Sequence, residues 1–193
     1  EETVAELKLT EFNHLFSDSE KAALKPAKPC DMIFFFDALI PDYYLTATQE
    51  RFSCYNRISK AADEKVLDKL ETELEDRFGP MPAEVRNLLA LARLKNLGSS
   101  LGLEKIDMQP ATTTLFLPAE EDKEFYDSTF FQNLIVALQD GSIREYHPQF
   151  DHGKKMKLVF RHPEKTDNAP LALIARYGEL LAEIAKREIA ATS

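Results

Sequence analysis

The sequence predicts an α+β domain in which the helices of the first half pack on a small mixed or antiparallel sheet, with an amphipathic helix at the C-terminal end. Two patterns predict this class: three stretches with apolar residues at helical spacing come first, and short apolar or alternating runs typical of strands dominate later. The chain has 193 residues, of which 44% are hydrophobic. It is therefore long enough to bury a core and too apolar for a disordered segment.

The net charge of −9 comes from 33 acidic and 24 basic residues. It argues against duplex DNA as a direct partner, because DNA binding rewards clustered basic residues. No apolar run approaches the roughly 18 residues that span a bilayer, so we expect no membrane partner. Two cysteines, Cys30 and Cys54, are too few for a secreted disulfide framework and predict a cytoplasmic location. The chain begins at Glu1 without a methionine or a signal-like segment, and we expect it to be a piece of a larger protein.

We expect residues 1–28 to be a helix end followed by a linker, and residues 29–193 to be one domain. Val4 and Leu7 have the spacing of one helix face, whereas the prolines before residue 30 are typical of a surface connector. The domain opens with Met32–Phe36, a continuous apolar run that predicts a strand buried on both faces.

The first predicted helix begins near Thr46. Thr46 and Gln49 have the spacing of a capping box, in which two side chains satisfy two backbone N–H groups at the helix start. Phe52, Tyr55 and Ile58 then recur every three residues, which predicts one apolar face.

Two further helices have clear start and end signals. The second begins near Asp63 and ends at Gly79, because a proline follows. The third begins at Pro82 and ends at Gly98 or Gly102. The predicted apolar stripe of the second helix is Val66, Leu67, Leu70, Leu74 and Phe78, and that of the third is Val85, Leu88, Leu89 and Ala92.

The second half predicts alternating strands and helices. A hairpin is expected around residues 151–153, where a glycine follows two polar residues. The predicted elements are strands Lys105–Met108 and Thr112–Leu117, a helix Ser128–Leu138, hairpin strands Ser142–His147 and Lys154–Arg161, and a last helix from Asn168 and Pro170 to Ile184. The last helix is expected to turn Leu173, Ile174, Tyr177, Leu181 and Ile184 inward.

Neither a cofactor nor a metal is predicted. The six glycines supply no Gly-x-x-x-x-Gly-Lys loop and no Gly-x-Gly-x-x-Gly turn, which excludes nucleotide binding by these two devices. His147, His152 and His162 lie near Asp151, but their spacing does not match the short ligand pairs of zinc sites.

No catalytic residue is predicted either. Cys30 and Cys54 stand in apolar surroundings and are interpreted as packing residues, since a reactive thiolate needs a base and a cationic setting. A Gly-x-Ser-x-Gly elbow is absent from the sequence. The many carboxylates lie on predicted exposed helix faces, where nothing would raise their pKa.

The strongest charge feature is the segment Asp63–Arg77, which holds seven acids and three bases. Glu73 and Asp76 are three residues apart and therefore neighbours on one helix face, and Arg77 follows directly. Two interpretations remain open. Either the face is solvated and locally paired, as Lys69 with Glu73 would be, or it docks on arginines of a partner through charge-assisted hydrogen bonds.

Five segments in register resemble a known family, the carboxy-terminal domain of bacterial transcription-repair coupling factor. They are ALIPDYY at 38–44, ERFSCYNRI at 50–58, ELEDRFGPMP at 73–82, LALARLK at 89–95 and LGLEKID at 101–107. The resemblance covers roughly residues 33–108. Beyond Thr112 only the order of the predicted elements is similar.

The resemblance implies a regulatory role without catalysis. The parent protein would be an ATP-dependent DNA translocase that displaces stalled RNA polymerase and recruits nucleotide excision repair. This domain would pack on the UvrB-like module of the same protein, hide the surface that binds UvrA, and contact neither nucleic acid nor membrane directly. Residues 1–9 resemble the helix that ends the preceding motor module.

The resemblance also assigns residues. Glu73 and Asp76 would face arginines of the UvrB-like module, and Arg77 is included in this predicted interface. Phe78 and Gly79, with Arg77, would set the turn between two helices, while Arg51 and Arg57 are expected to pair with nearby carboxylates. The alternative function is an adaptor that recruits UvrA, RNA polymerase or another basic partner directly. A small hydrolase is a distant third, for want of a nucleophile and a base.

Overall fold

The structure, a computed structural model, describes residues 29–153, 155–162 and 169–187. Residues 1–28, for which a helix end and linker are predicted, lie outside these ranges, as does Asn168. The elements in chain order are β1 (Asp31–Phe34), α1 (Thr48–Lys60), α2 (Glu64–Phe78), α3 (Ala83–Ser100), β2 (Lys105–Met108), β3 (Thr112–Phe116), α4 (Lys123–Tyr126), α5 (Thr129–Asp140), a 3₁₀ turn (Arg144–Tyr146), β4 (Pro148–His152), β5 (Met156–Arg161) and α6 (Pro170–Lys186). The predicted α+β class is confirmed.

Two apolar clusters form the interior, and α3 is the wall between them. The helical core lies among α1, α2 and α3, and α3 contributes Val85 and Leu89 to it. The sheet core lies between the sheet and helices α3, α5 and α6, and α3 contributes Leu91 and Leu94 to it. Both faces of α3 are therefore buried, and α3 also packs along α6.

The five strands form one mixed sheet in the order β1-β2-β3-β5-β4. β1 runs parallel to β2, and the other neighbours are antiparallel. β1 therefore lies at an edge, and the prediction that this strand is buried on both faces is wrong: Ile33 is 41% and Phe34 37% exposed. A continuous apolar run predicts a strand but not the number of neighbours that the strand has.

Helix α1 differs from its prediction at its start. The helix begins at Thr48, its N-cap is Ala47, and no side chain caps it, so the predicted capping box at Thr46 is wrong. The Arg51 guanidinium instead donates hydrogen bonds to the carbonyl oxygens of Leu45 (2.6 Å) and Thr46 (3.1 Å). Arg51 thus holds the backbone just before α1 in place. Contrary to the prediction, it does not pair with a carboxylate among the described residues.

The apolar face of α1 is also narrower than predicted. Cys54 and Ile58 are the buried residues of the helix. Phe52, predicted to point inward, is 66% exposed. Because 3.6 residues make one turn, Phe52 lies on the opposite side of the helix from Cys54 and Ile58.

Helices α2 and α3 largely follow their predictions. The Asp63 carboxylate accepts the Lys65 N–H at the start of α2, and Gly79, with φ +82°, ends it. Leu67, Leu70 and Leu74 are fully buried, whereas Val66 is 47% exposed and leaves the predicted stripe. α3 begins directly after Pro82 and ends at Ser100, so Gly102 marks its end and Gly98 lies inside it.

In the second half, the predicted strand Ser142–His147 is wrong. Gly141 adopts a left-handed conformation with φ +74°, and the Asp140 carboxylate accepts the Ser142 N–H, which begins a tight turn instead of a strand. The hairpin itself is confirmed, but β5 pairs with Pro148–His152. Helix α6 is confirmed, and Leu173, Ile174, Tyr177, Leu181 and Ile184 are all buried. Across the described ranges, no helix combines the length and apolar character that crossing a membrane requires.

A hydrogen-bonded histidine closes one end of the sheet core. His162 Nδ1 lies 3.2 Å from the Pro110 carbonyl oxygen, which can only accept, so Nδ1 donates and Nε2 accepts the hydroxyl of buried Thr113 at 2.9 Å. Burial lowers the pKa of His162 below its ordinary 6.5, and the charge of Arg176 adds to this effect although the bond to Pro110 opposes it. The folded state therefore favours neutral His162.

The close approach of α3 to Cys30 gives a first prediction. A Cβ at Gly98 would lie 2.9 Å from the Cys30 Sγ and 3.1 Å from Cδ1 of Ile106. We expect Gly98→Ala to lower the free energy of unfolding, although Ala is favoured over Gly by about 1 kcal/mol inside helices. Gly178→Ala in α6 is the matched control, because a Cβ there would have no atom within 4 Å outside its own helix backbone and its chain neighbours. This variant should raise the free energy of unfolding by about 0.5–1 kcal/mol. Urea unfolding followed by circular dichroism measures both, and equal stabilisation would contradict the close packing.

The His162 pKa gives a second prediction. As the pH falls below about 6.5, the unfolded chain binds a proton at His162 before the folded chain does. We therefore expect the free energy of unfolding to fall with decreasing pH in this range, until the folded pKa is passed. His162→Gln should reduce this slope, which urea unfolding at several pH values measures. An identical slope in the variant would mean that other groups cause the dependence.

Candidate docking surface on α1 and α2

The three residues predicted for an interface all lie in the second half of α2. Asp76 and Arg77 are exposed and Glu73 is half-buried, so the structure brings them to one accessible surface. Glu73 and Arg77 are one turn apart, and Asp76 lies beside them. We call the surface formed by Glu73, Asp76 and Arg77 the docking face.

Helix α1 supplies a partner that neutralises Glu73. Arg57 donates two hydrogen bonds to the Glu73 carboxylate, at 2.9 Å and 2.6 Å, in a bidentate pair. Arg77 adds a longer contact of 3.4 Å to Glu73 and a bond of 2.7 Å to Glu50 of α1. Arg57, Glu73, Arg77 and Glu50 thus form a charge quartet with no net charge that joins the two helices.

The contacts within the quartet favour the charged forms of Glu73 and Arg57. Hydrogen bonds from Arg57 keep the pKa of Glu73 below its ordinary value, and Glu73 in turn raises the pKa of Arg57. The predicted pairing of Arg57 with a carboxylate is confirmed. In the described part of the chain, the ion pairs of Glu73 run to Arg57 and Arg77 and not to Lys69.

Other acids of the Asp63–Arg77 segment are also occupied. Asp63 caps α2, and Arg93 of α3 pairs with both Asp68 and Glu71. Glu64, Glu75 and Asp76, in contrast, are exposed and form no ion pair with any residue that the structure describes. Four of the seven acids are thus engaged, and within the docking face Asp76 is the carboxylate that no described cation pairs.

The turn after α2 fixes the end of this face. Phe78 packs edge-on against Tyr44, with ring centroids 5.9 Å apart, and the Arg77 guanidinium lies 4.8 Å above the Phe78 ring. The Tyr44 hydroxyl is within hydrogen-bonding distance of the carbonyl oxygens of Leu74 and Gly79. The predicted placement of Phe78 against the core and Gly79 at the helix end is confirmed.

Sequence reasoning missed Glu50 as a member of this surface. Glu50 and Arg57 are seven residues apart in α1 and so occupy the same helix face two turns apart. That spacing was available in the sequence, but the antiparallel pairing of α1 with α2 was not. Only this pairing tells which charges on the two helices meet.

The remaining candidate groups offer little chemistry. Burial raises the pKa of the Cys30 thiol to about 11 and also raises that of Cys54, so neither thiol is activated as a nucleophile. No set of three His, Cys, Asp or Glu side chains within the described ranges is placed to hold a metal ion. His147 is the C-cap of the 3₁₀ turn, and both ring nitrogens of His162 are engaged, by Thr113 and by the Pro110 carbonyl oxygen.

Comparison with known proteins identifies the segment that carries the docking face. The family model of the TRCF domain matches residues 35–128, a range that contains α1, α2 and α3. These residues, just under half of the chain, resemble a TRCF domain. The resemblance predicted from the sequence is thereby confirmed, and the match includes every residue of the charge quartet.

Curated relatives agree with this identification. This chain is similar to the transcription-repair-coupling factors of Escherichia coli K12, with 39% identity over 70 residues, and of Haemophilus influenzae, with 43% over 70 residues. Each match covers 36% of this chain and 6% of the relative. The factor of Borreliella burgdorferi is 34% identical over 76 residues, which cover 39% of this chain and 7% of that protein. The matched segments are thus a small fraction of the curated relatives.

A solved structure agrees in fold. The crystal structure of a C-terminal domain of transcription-repair coupling factor superposes with a TM-score of 0.65 and 24% identity. The likeness covers 84% of this chain and 97% of that one, and it therefore extends beyond the TRCF segment into the second half. At this identity it shows a common fold.

The quartet gives a third prediction. Glu73→Ala removes the bidentate pair with Arg57 and the contact with Arg77, and exposed pairs of this kind contribute about 0.2–1 kcal/mol. We expect Glu73→Ala to lower the free energy of unfolding by up to about 1 kcal/mol. Asp76→Ala, which breaks no ion pair and removes a negative charge near a helix C-terminus, should not lower it. Urea unfolding measures both, and loss of helical circular dichroism in either variant would contradict an exposed position.

Proposed function

We propose that this TRCF domain is a non-catalytic, autoinhibitory part of a transcription-repair coupling factor. It docks on the UvrB-like module of the same protein and masks the surface that binds UvrA. The observation that carries the proposal is the exposed carboxylate of Asp76 beside the charge quartet, on helices that the TRCF family model matches. We infer a bacterial cytoplasmic location and a parent protein that is an ATP-dependent DNA translocase.

Asp76 is the group best suited to receive an arginine of the module. Its carboxylate is exposed, has no competing cation among the described residues, and can accept two parallel hydrogen bonds from a guanidinium. Glu73 contributes differently, because Arg57 already occupies both of its oxygens. An incoming arginine competes more easily with Arg77, whose contact with Glu73 is the longer one at 3.4 Å.

This arrangement supports a reversible mask. A few charge-assisted hydrogen bonds on an exposed surface are screened by salt and contribute modestly. Such a contact can hold when both partners belong to one chain, since tethering raises their effective concentration. Rearrangement of the parent protein on DNA and polymerase would then separate the faces and expose the UvrA-binding surface.

The alternative function is an adaptor, in which the docking face binds UvrA or another basic partner directly. The same exposed Asp76 would serve that role. The two functions differ in the sign of one effect: loss of the docking charge strengthens UvrA binding by the parent protein if the face masks, and weakens it if the face recruits.

The fourth prediction measures this sign. We expect Asp76→Arg in the full-length parent protein to raise its apparent affinity for UvrA, because the reversed charge repels the arginines of the UvrB-like module. Glu124→Arg reverses an equally exposed acid on α4, outside the docking face, and is the control that should leave the affinity unchanged. Binding is measured by calorimetry at low and moderate salt, and added salt should raise the wild-type affinity by weakening the mask.

Direct binding of the 193-residue chain to the isolated UvrB-like module gives the complementary measurement. Salt-sensitive binding that Asp76→Arg abolishes supports masking. If Asp76→Arg instead weakens UvrA binding by the parent protein, the domain recruits and the masking proposal is wrong. If it changes neither interaction, Asp76 is not part of a docking surface.

A further inference from the structure

We propose that the outer edge of β1 binds an extended, basic segment of another protein, which joins the sheet as an additional strand. The inference does not depend on the docking face, which lies on α2. It rests on the unpaired backbone of β1, on the exposed apolar side chains beside it, and on the charge of the segment 29–50.

One side of the β1 backbone has no partner in the sheet. β1 is the first strand in the order β1-β2-β3-β5-β4, so only its β2 side is paired. The Asp31 N–H donates to the Glu104 carbonyl oxygen on that side at 2.9 Å, and backbone groups alternate in direction along a strand. The N–H and C=O groups of Met32 and Phe34 therefore point away from β2, where an extended chain can pair with them.

Exposed apolar side chains are concentrated at this edge and directly after it. Among the described residues, nine large apolar side chains are exposed, and five of them lie between positions 33 and 43. These five are Ile33, Phe34, Phe35, Leu39 and Tyr43. A single exposed apolar residue needs no explanation, whereas a group of them marks an interaction surface.

The aromatic part of this surface is fixed by Phe36. Phe36 is half-buried against the sheet core, and its ring centroid lies 5.4 Å from that of Phe34 and 5.3 Å from that of Phe35. Aromatic pairs at such distances attract each other. Two exposed rings thus have defined positions beside the open edge, and a partner loses little entropy in ordering them.

Charge indicates which kind of segment fits this edge. The segment 29–50 contains Asp31, Asp37, Asp42 and Glu50 but neither lysine nor arginine. Asp31 begins β1 and Asp37 follows shortly after its end, and both are exposed. A basic residue near each end of the added strand can form a charge-assisted hydrogen bond with one of these two carboxylates.

Neither carboxylate is neutralised within the described ranges. Asp31 and Asp37 form no ion pair with any residue of this part of the chain. Lys105 is the ladder partner of Asp31, but its ammonium lies 3.8 Å from the centroid of the Phe116 ring on β3. Both carboxylates are therefore available, and electrostatic complementarity favours a basic partner over a neutral or acidic one.

A second copy of this chain fits the edge less well. If two copies paired through β1, each would bring its own Asp31, Asp37 and Asp42 to the contact without a lysine or arginine from the same segment. Like charges on neighbouring strands are destabilising, and the net charge of −9 adds repulsion between copies. The occupant is therefore a segment of different sequence.

The experiment measures, by calorimetry, the binding of a blocked peptide, Lys-Arg-Val-Ile-Val-Arg-Lys, to the 193-residue chain. One control peptide has Glu in place of every Lys and Arg. The other is methylated on the three central backbone nitrogens, which then cannot donate to β1. We expect both controls to bind at least about tenfold more weakly than the first peptide, because they lose the charge pairs or the backbone hydrogen bonds.

Variants of the chain locate the contact. Phe34→Ala removes the ring and keeps the outward N–H, whereas Phe34→Pro removes both, and proline is tolerated on an edge strand where the N–H faces solvent. We expect Phe34→Pro to bind the first peptide about two- to tenfold more weakly than Phe34→Ala, the effect of one lost hydrogen bond. Asp37→Asn should also weaken binding. Phe52→Ala removes an exposed phenylalanine from α1 and is the control that should leave binding unchanged.

Each contrary outcome overturns the inference in a different way. Equal binding of the methylated peptide would mean charge attraction without strand pairing, and equal binding of the acidic peptide would mean that charge does not select the occupant. Absence of binding by the basic peptide would also overturn it. Concentration-dependent dimerisation that Phe34→Pro abolishes would identify a second copy as the occupant. Equal unfolding midpoints of Phe34→Pro and Phe34→Ala exclude misfolding, and the peptide controls use the unchanged chain.

Discussion

The burial of α3 on two sides is the constraint on which the rest of the structure depends. Leu89 closes the helical core on one side, and Leu91 and Leu94 close the sheet core on the other. At Gly98 the helix comes so near to Cys30 that it also fixes the start of the edge strand. Helices α1 and α2 therefore have a rigid support, and the surface that they present to solvent is held in one geometry.

That rigid support also holds the charged side chains of α1 and α2 in fixed positions. Arg57, Glu73, Arg77 and Glu50 cancel one another and join α1 to α2. The exposed carboxylates of Glu75 and Asp76 then lie at defined positions beside the neutral quartet. Under the proposed function, a partner would recognise the placement of these carboxylates beside a neutral quartet, through a contact that can form and break at little cost.

The sequence predicted the helices best where apolar spacing and end signals agree, as in α2 with Gly79 and α6 with its five inward residues. The sequence-based predictions were wrong where they concerned how many neighbours an element has. The edge position of β1 and the exposure of Phe52 depend on which surfaces the rest of the chain covers, and hydrophobicity reports only a preference for contact. Spacing predicted that Glu73 and Asp76 are neighbours on one face of α2, but the pairing of Glu73 with Arg57 of α1 depends on the tertiary arrangement.

The parallel pairing of β1 with β2 has a mechanical consequence. The two strands are joined through all three helices of the first half, so β1 is held to the domain by one ladder and by the Cys30 N–H, which donates to Ser99 Oγ at 2.9 Å. Tension on the backbone at Pro29 would load the bond from Cys30 to Ser99 first and the ladder from the Asp31–Lys105 pair onward next. Because Cys30 is buried in the sheet core beside Gly98 of α3, detaching the start of β1 would also open that end of the core, and the edge strand is therefore tied to α3 as well as to β2.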